Sequence, residues 1–153
     1  MKRQLFAASA LVLASLATAA FPIPMPVGAG APETPAASAW HQRTDEAFAK
    51  FERVVLVHAV RSVEELTYRT EIADIGHARA GAFTYVPIVS REPHPDALPG
   101  RIPALIADGR LEARAGIALS PENAHAMLCG NPAMVEETQQ LLATRGMRRH
   151  RRK

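Results

Sequence analysis

The sequence predicts an α/β domain built as a partial Rossmann-like parallel sheet with flanking helices. Val54–Val60 is a nearly continuous apolar run, which is typical of a parallel strand buried on both faces. Phe83–Val89 is a second such run, and segments with helical spacing of apolar residues follow both. Near the C-terminus, His125–Met134 reads as a strand, a tight turn and a helix start. Strands that alternate with helices form βαβ units and a parallel sheet.

Composition divides the chain into four predicted segments. Residues 1–20 form a signal-like hydrophobic leader, with a positive start and small residues that suit cleavage at Ala17–Ala19. A buried helix or a strand–helix unit of the domain is the alternative for this leader. Its apolar part is short for a membrane span, which needs about 20 residues, so we expect no span. Residues 21–43 are a Pro/Ala/Gly-rich connector, residues 44–146 the α/β domain, and residues 147–153 a basic tail.

The first half of the domain is expected to begin with a short helix over Thr44–Arg53, followed by the strand Val54–Val60. Apolar residues over 63–75 then have helical spacing and predict a helix that closes before Gly76. In the second strand, Pro87 cannot donate a ladder hydrogen bond, which predicts an edge position or a break in pairing.

The second half is expected to contain a short helix over Arg101–Asp108, stopped by Gly109. Ala126–Cys129 then reads as a buried strand, and the last helix closes at Gly146. We place Glu136 and Glu137 in the first turn of that helix, where its dipole favours acids. Its inward face is predicted to carry Met134, Val135, Thr138, Leu141 and Leu142.

The charge is unevenly distributed. Six of the 18 Lys and Arg residues lie in Arg145–Lys153, which leaves 12 basic residues (18 less 6) against 15 acidic ones elsewhere. The body is therefore mildly acidic, and a short basic end is usually solvated, so we expect no nucleic-acid partner. The single cysteine excludes an internal disulfide, and the six histidines show no metal-ligand spacing, so no metal is expected.

Four segments, in chain order, resemble the bacterial group of ferredoxin–NADP(+) reductases. They are Val54–Arg61, Glu65–Arg69, Tyr85–Arg101 and Met127–Met134. The resemblance implies the C-terminal NADP-binding domain of that family and its partial Rossmann-like sheet. The turn Gly28–Pro32 resembles the family's glycine turn only weakly, and we assign it no function. We therefore expect the first strand and glycine turn of the domain to be absent or altered.

The resemblance also implies the site residues. Ser90, Arg91 and Arg101 match the residues that hold the 2′-phosphate and adenosine of NADP, and Arg61 is a third arginine candidate. A guanidinium offers a planar fork of donors to a phosphate. The alternative for each arginine is a surface ion pair with the neighbouring acids, and Glu92 in particular is expected to pair with an arginine. Those acids are Glu92, Asp96 and Asp108.

The motif after the last strand is implied to serve the other end of the coenzyme. Cys129 matches the family cysteine that faces the nicotinamide, and it is the catalytic candidate. The rest of the motif is expected to bind the cofactor through Gly130, Asn131, Pro132 and Met134. Asn131 also suits a helix cap, and Pro132 the first helical position.

The implied function is the NADP(H)-binding part of a reductase that moves electrons between ferredoxin or flavodoxin and NADP(H) through FAD. In the family an FAD-binding barrel precedes this domain, and residues 1–52 do not match it. We therefore expect a truncated, cytoplasmic chain that binds NADP, does not hold FAD and is inactive alone. The alternative is an exported, periplasmic α/β protein that binds an anionic partner through its basic tail.

Overall fold

The computed structural model describes residues 51–149 and the backbone of Gln4–Ser9. The strands are β1 (Gln4–Ser9), β2 (Val54–Val60), β3 (Phe83–Val89), β4 (Leu98–Pro99) and β5 (Ala124–Leu128). The helices are α1 (Arg69–Ala78), α2 (Ile102–Ala107), α3 (Arg110–Ala115) and α4 (Pro132–Thr144), with a 3₁₀ helix at Val63–Glu65. None of the helices within this part of the chain is long and apolar enough to cross a membrane.

The five strands form one parallel sheet in the order β4-β3-β2-β1-β5. The chain runs from β1 outward through β2, β3 and β4, and then returns to place β5 on the other side of β1. The direction of winding therefore reverses between β1 and β5, and ligands of open α/β sheets bind in the crevice at such a reversal. The predicted fold class, a Rossmann-like parallel sheet with flanking helices, is confirmed.

Strand β1 corrects one expectation. Gln4–Ser9, which the sequence placed in the leader, pairs in parallel with both β2 and β5 at the centre of the sheet. The first strand of the nucleotide fold is therefore present, and the alternative of a strand within the leader describes it. An apolar run has the same appearance in a leader and in a buried strand, so its composition could not separate the two. The connector 21–43 and its turn Gly28–Pro32 lie outside the described residues.

Strands β2 and β3 have the predicted bounds and pair over seven residues each. On its other side β3 pairs with β4 only through Ile88 and Val89. Most of β3, including Pro87, therefore has β2 as its neighbour on one side and no strand on the other among the described residues. This agrees with the edge position that Pro87 predicted.

The sheet has two buried faces. The larger core packs β2, β3 and β5 against α2, α3 and α4, and its members include Val55, Val57, Ile88, Leu105, Leu111 and Leu142. The opposite face has a smaller cluster of Val60, Leu66 and Val89. Because alternate residues of β2 belong to the two clusters, this strand is buried on both sides, as its unbroken apolar run predicted.

The helices agree with the sequence in part. The Arg101–Asp108 prediction corresponds to α2, but the helix expected to close before Gly76 begins only at Arg69 and continues to Ala78. Helix α3, which follows Gly109 directly, was not predicted. Phe51–Arg53 is not helical, and the rest of the expected helix over 44–53 lies outside the described residues.

Helix α4 has the predicted cap, start and stop. It begins at Pro132 after Asn131, and Gly146 follows it with a positive φ of 82°. Thr138 and Leu142 are buried on its inward face. Glu136 and Glu137, however, are the fifth and sixth helical residues, so they lie beyond the first turn and not within it.

One polar contact ties the helices of the larger core together. Arg145, at the end of α4, forms an ion pair with Glu112 of α3 and donates to the carbonyl of Ile106 in α2. The other oxygen of Glu112 accepts from the backbone N–H of Leu119 at 2.7 Å. The side chains are only 27% and 20% exposed, so water would not fully replace these bonds if they were lost.

The smaller face contains a buried histidine. His58 lies in the middle of β2 with no exposed surface, and its Nδ1 is 3.2 Å from the hydroxyl of Tyr85 in β3. Its Nε2 is buried and has no hydrogen-bond partner among the residues that the structure describes. Burial lowers the pKa of His58 below its ordinary value of 6.5, because it disfavours the charged imidazolium.

We expect Glu112→Ala to lower the free energy of unfolding by about 2 kcal/mol, because it leaves Arg145 and the Leu119 amide without their partner. Guanidinium denaturation measures this change. Glu137→Ala is the matched control, since Glu137 is exposed on α4, and its change should stay within about 0.5 kcal/mol. Equal effects of the two substitutions would contradict the role of the Glu112–Arg145 pair.

We expect the free energy of unfolding to fall with pH below 6.5, the ordinary histidine pKa. There the unfolded chain binds a proton at His58 that the folded chain resists, and the loss continues until the folded state is protonated as well. His58→Gln cannot titrate and should show a shallower slope in this range. Denaturation of both proteins between pH 5 and 7.5 tests the assignment, and identical slopes would refute it.

Candidate functional site

The candidate site lies at the carboxyl edge of the sheet. Strands β2, β3 and β4 end level with one another, because Val60 pairs with Val89 and Val89 pairs with Pro99. The next residues along the three strands are Arg61, Ser90 and Gly100, the last of which precedes Arg101. The three predicted arginines therefore lie within two residues of adjacent strand ends, at the edge where ligands of parallel sheets bind.

Backbone hydrogen bonds continue past the strand ends and keep the loops in register. The N–H of Ser90 donates to Val60 O at 3.1 Å, and the N–H of Arg91 donates to Arg61 O at 3.0 Å. The loops that carry Arg61 and Arg91 are thus joined main chain to main chain. On the other side of β3, the N–H of Gly100 donates to Val89 O at 3.4 Å.

Two acids on the loops after β2 and β3 bind backbone amides. Glu65 Oε2 accepts from the N–H of Arg61 at 2.8 Å, and at 3.5 Å from that of Ser62, the residue before the 3₁₀ helix. Glu92 Oε1 accepts from the N–H of Val63. The expectation that Glu92 pairs with an arginine is therefore wrong, because the unpaired amide at the start of the 3₁₀ helix takes its carboxylate instead.

The arginine side chains are left exposed. Within residues 51–149, no acidic side chain forms an ion pair with Arg61, Arg91 or Arg101. Two of the acids that offered an alternative are engaged elsewhere: Glu92 binds the Val63 amide, and Asp108 binds Arg110 at 2.7 Å, a guanidinium that lowers the pKa of Asp108. The surface ion pairs considered from sequence are therefore not formed, and the three guanidinium groups can bind an anion.

Arg101 occupies the position before α2, with extended backbone, and its carbonyl accepts from the N–H of Leu105 at 3.0 Å. Gly100 precedes it with φ of 128°, a conformation that L side chains rarely adopt. The glycine turns the chain from β4 into α2, which places Arg101 at the sheet edge and leaves its side chain exposed.

A second group of site residues follows β5. Cys129 is exposed just beyond the strand end, and Gly130 turns the chain with φ of 135°. The side chain of Asn131 accepts from the N–H of Ala133 at 2.9 Å and so caps α4, with Pro132 at the first helical position. This turn adjoins the winding reversal between β1 and β5, where the crevice of the fold lies.

Met134 differs from the rest of this group. Its side chain packs against the larger core, and its sulfur accepts a hydrogen bond from the Thr138 hydroxyl at 3.5 Å. The structure therefore gives Met134 a packing role in α4. Its predicted contact with a cofactor, like the binding roles of the other site residues, stays a prediction.

The structure thus arranges the predicted residues in two groups on one edge. Strands β3 and β5 are three positions apart in the sheet, which corresponds to about 14 Å at about 4.8 Å per strand. Arg61, Ser90, Arg91 and Arg101 form the first group, and Cys129 with the turn after it forms the second. An extended ligand with an anionic end fits this spacing.

Sequence reasoning missed the acids that bind the loops. Glu65 belongs to one of the resembling segments. Ser62 and Glu65 also have the spacing of a capping box, and that spacing indicates the role of Glu65. No sequence signal indicates that Glu92 reaches Val63, which lies 29 residues earlier. In the part of the chain that the structure describes, no three metal-ligating side chains lie together.

Comparisons with known proteins agree with this geometry. A family model described as oxidoreductase NAD-binding domain matches residues 27–140. The flavodoxin/ferredoxin–NADP reductase of Escherichia coli is 44% identical over 90 residues, which cover 59% of this chain and 36% of that protein. The ferredoxin–NADP reductase of Pseudomonas aeruginosa is 34% identical over 111 residues, covering 67% and 42%. The chain thus spans well under half the length of these relatives.

A solved structure extends the similarity to the fold. The ferredoxin–NADP(+) reductase of Neisseria gonorrhoeae, crystallised with bound FAD and NADP, superposes with a TM-score of 0.70 at 28% identity, covering 98% of this chain and 51% of that chain. The resemblance to ferredoxin–NADP reductases is confirmed. Because the family model matches most of its length, the chain belongs to the oxidoreductase NAD-binding domain family.

Proposed function

We propose that this chain binds NADP(H) as the nucleotide-binding part of a ferredoxin–NADP(+) reductase. The observation that carries the proposal is the group of three arginines at adjacent strand ends, none of them paired with an acid in the described part of the chain. Unpaired guanidinium groups that share one edge are suited to a dianionic phosphate, since each offers a fork of N–H donors.

The residues fit NADP better than NAD. A sheet that holds a bare ribose 2′-hydroxyl usually places a carboxylate near it. Here Glu65 and Glu92, on the loops after β2 and β3, are bound to backbone amides. The arginines are therefore free for the 2′-phosphate, with the Ser90 hydroxyl as an additional donor.

The turn after β5 is proposed to hold the nicotinamide end. Gly130 has no Cβ, so its backbone can approach a ring closely, and Cys129 presents an exposed thiol beside it. Cys129 would position the nicotinamide ring, and the bound coenzyme would supply the hydride chemistry. Asn131 and Pro132 contribute by fixing the start of α4, which sets the path of the turn.

The electron partners are proposed from the relatives alone. Those proteins are named for ferredoxin and flavodoxin, and the Neisseria gonorrhoeae structure contains FAD. We propose that this chain contributes NADP(H) binding to the same reaction. FAD would then be held by the part of the relatives that this sequence does not match, so the 153-residue chain alone is proposed to be inactive.

The cytoplasm is the proposed compartment. Cleavage after Ala19 would remove β1, which pairs with both β2 and β5 at the middle of the sheet. Export with removal of the leader would therefore split the sheet, whereas retention of the start of the chain keeps it whole.

We expect the full chain to bind 2′-phospho-AMP more tightly than AMP, and calorimetry with both ligands measures the difference. Arg91→Ala and Arg101→Ala should each remove about 1.5–3 kcal/mol from it, the size of a charge-assisted contact. Arg61→Ala should remove less. Arg149→Ala makes the same charge change in the exposed tail and should leave the difference intact. Equal affinity of the folded chain for the two ligands would refute the proposed phosphate site.

We expect the protein from its native host to keep residues 1–20. Intact-mass measurement reports the N-terminus, and fractionation reports the compartment. A processed form beginning near Ala20 or Phe21, recovered folded from the periplasm, would overturn both the cytoplasmic assignment and the place of β1 in the working sheet.

A further inference from the structure

The carboxylate of Glu92 joins two loops that are far apart in sequence. It lies next to Arg91 on the loop after β3, yet it accepts from the N–H of Val63, two residues beyond Arg61 on the loop after β2. The main chains of the same loops are joined by the bond from Arg91 N to Arg61 O at 3.0 Å. One contact joins the main chains of the two arginines, and the other joins residues that follow them in the same two loops.

We infer that Glu92 is a positioning residue for the 2′-phosphate site, an inference that rests on the proposed function. With its carboxylate on Val63, the turn that begins at Arg61 is held against the turn that contains Arg91. The two guanidinium groups then start from backbone that cannot separate. A phosphate needs both at once, and the affinity gained from pre-positioned donors is lost when the loops move independently.

The same contact keeps Glu92 from competing with the ligand. A carboxylate beside Arg91 would ordinarily form an ion pair with it, and a phosphate would have to displace that pair. Here the Val63 amide occupies Oε1, as the Arg61 and Ser62 amides occupy Glu65 Oε2 on the inner side of the turn. Glu65 and Glu92 therefore stabilise the loop backbone and leave the arginine side chains free.

Two substitutions distinguish the effect of the Glu92 side-chain length from the effect of its charge. Glu92→Gln keeps the side-chain length and an acceptor oxygen but removes the charge. Glu92→Asp keeps the charge but is one methylene shorter, so it cannot hold Val63 with the same loop geometry. The matched control is Glu64→Asp, because Glu64 is an exposed acid of the same 3₁₀ helix and no hydrogen bond of its carboxylate is seen in the described residues.

The measurement is the ratio of affinities for 2′-phospho-AMP and AMP, taken by calorimetry on the full chain. We expect Glu92→Asp to lower this ratio about tenfold, the order of one charge-assisted contact. Glu92→Gln and Glu64→Asp should keep it within about twofold. A purely structural role would change stability, or both affinities equally, and would not move the ratio.

The outcomes distinguish this inference from the proposed function. If the wild-type ratio is large and Glu92→Asp preserves it, the positioning role is overturned while the phosphate site stands. A loss of the ratio in Glu92→Gln would also overturn it, because charge rather than reach would then matter. A wild-type ratio of one would remove the proposed function and this inference together.

Hydrogen–deuterium exchange of wild-type Val63–Glu65 gives a second test that does not depend on a variant folding. We expect 2′-phospho-AMP to slow exchange in this turn more than AMP does, since the phosphate clamps the two loops that Glu92 joins. Equal protection by the two ligands would count against the positioning role.

Discussion

The burial of β2 on both faces is the constraint on which the rest of the structure depends. Its odd-numbered residues Val55 and Val57 belong to the larger core, while His58 and Val60 lie on the opposite face. A strand enclosed in this way must have hydrogen-bonded neighbours on both edges, and β1 and β3 provide them. This burial fixes the register of β2 against β3. Arg61, the residue after β2, therefore lies beside the loop after β3.

Sequence reasoning predicted the parts of the fold that depend on pattern. The apolar runs of β2 and β3 were found with their bounds, and the cap and first residue of α4 follow from Asn131 and Pro132. The same reasoning misread Gln4–Ser9, since a hydrophobic run does not state whether it is a leader or a central strand. It also missed α3, because Gly109 reads as the end of the helical segment and no further helix is expected there.

The candidate residues of the site could be named from the sequence, but the groups that they contact could not. Resemblance pointed to Arg91 and Arg101, a strand end pointed to Arg61, and parallel strands explain why the three share an edge. Whether each arginine forms an ion pair depends on where the neighbouring acids point. Glu92 binds the backbone amide of Val63, on a loop distant in sequence. Local sequence holds no information on that contact, because the fold sets the distances from the carboxylate to the guanidinium groups and to the unpaired amides.

In the loops at the sheet edge, the groups that fix the backbone are different from the guanidinium groups that are available to a ligand. The loop backbone is fixed by main-chain bonds, by Glu65 and by Glu92, whereas the guanidinium groups contribute nothing to that framework in the described part of the chain. Under the proposed role of these arginines, coenzyme preference and folding stability can therefore evolve independently here. A lineage that exchanged these arginines for neutral or acidic residues would keep the loop scaffold, and selection could shift the balance between the two nicotinamide coenzymes without first securing a compensating change in the core.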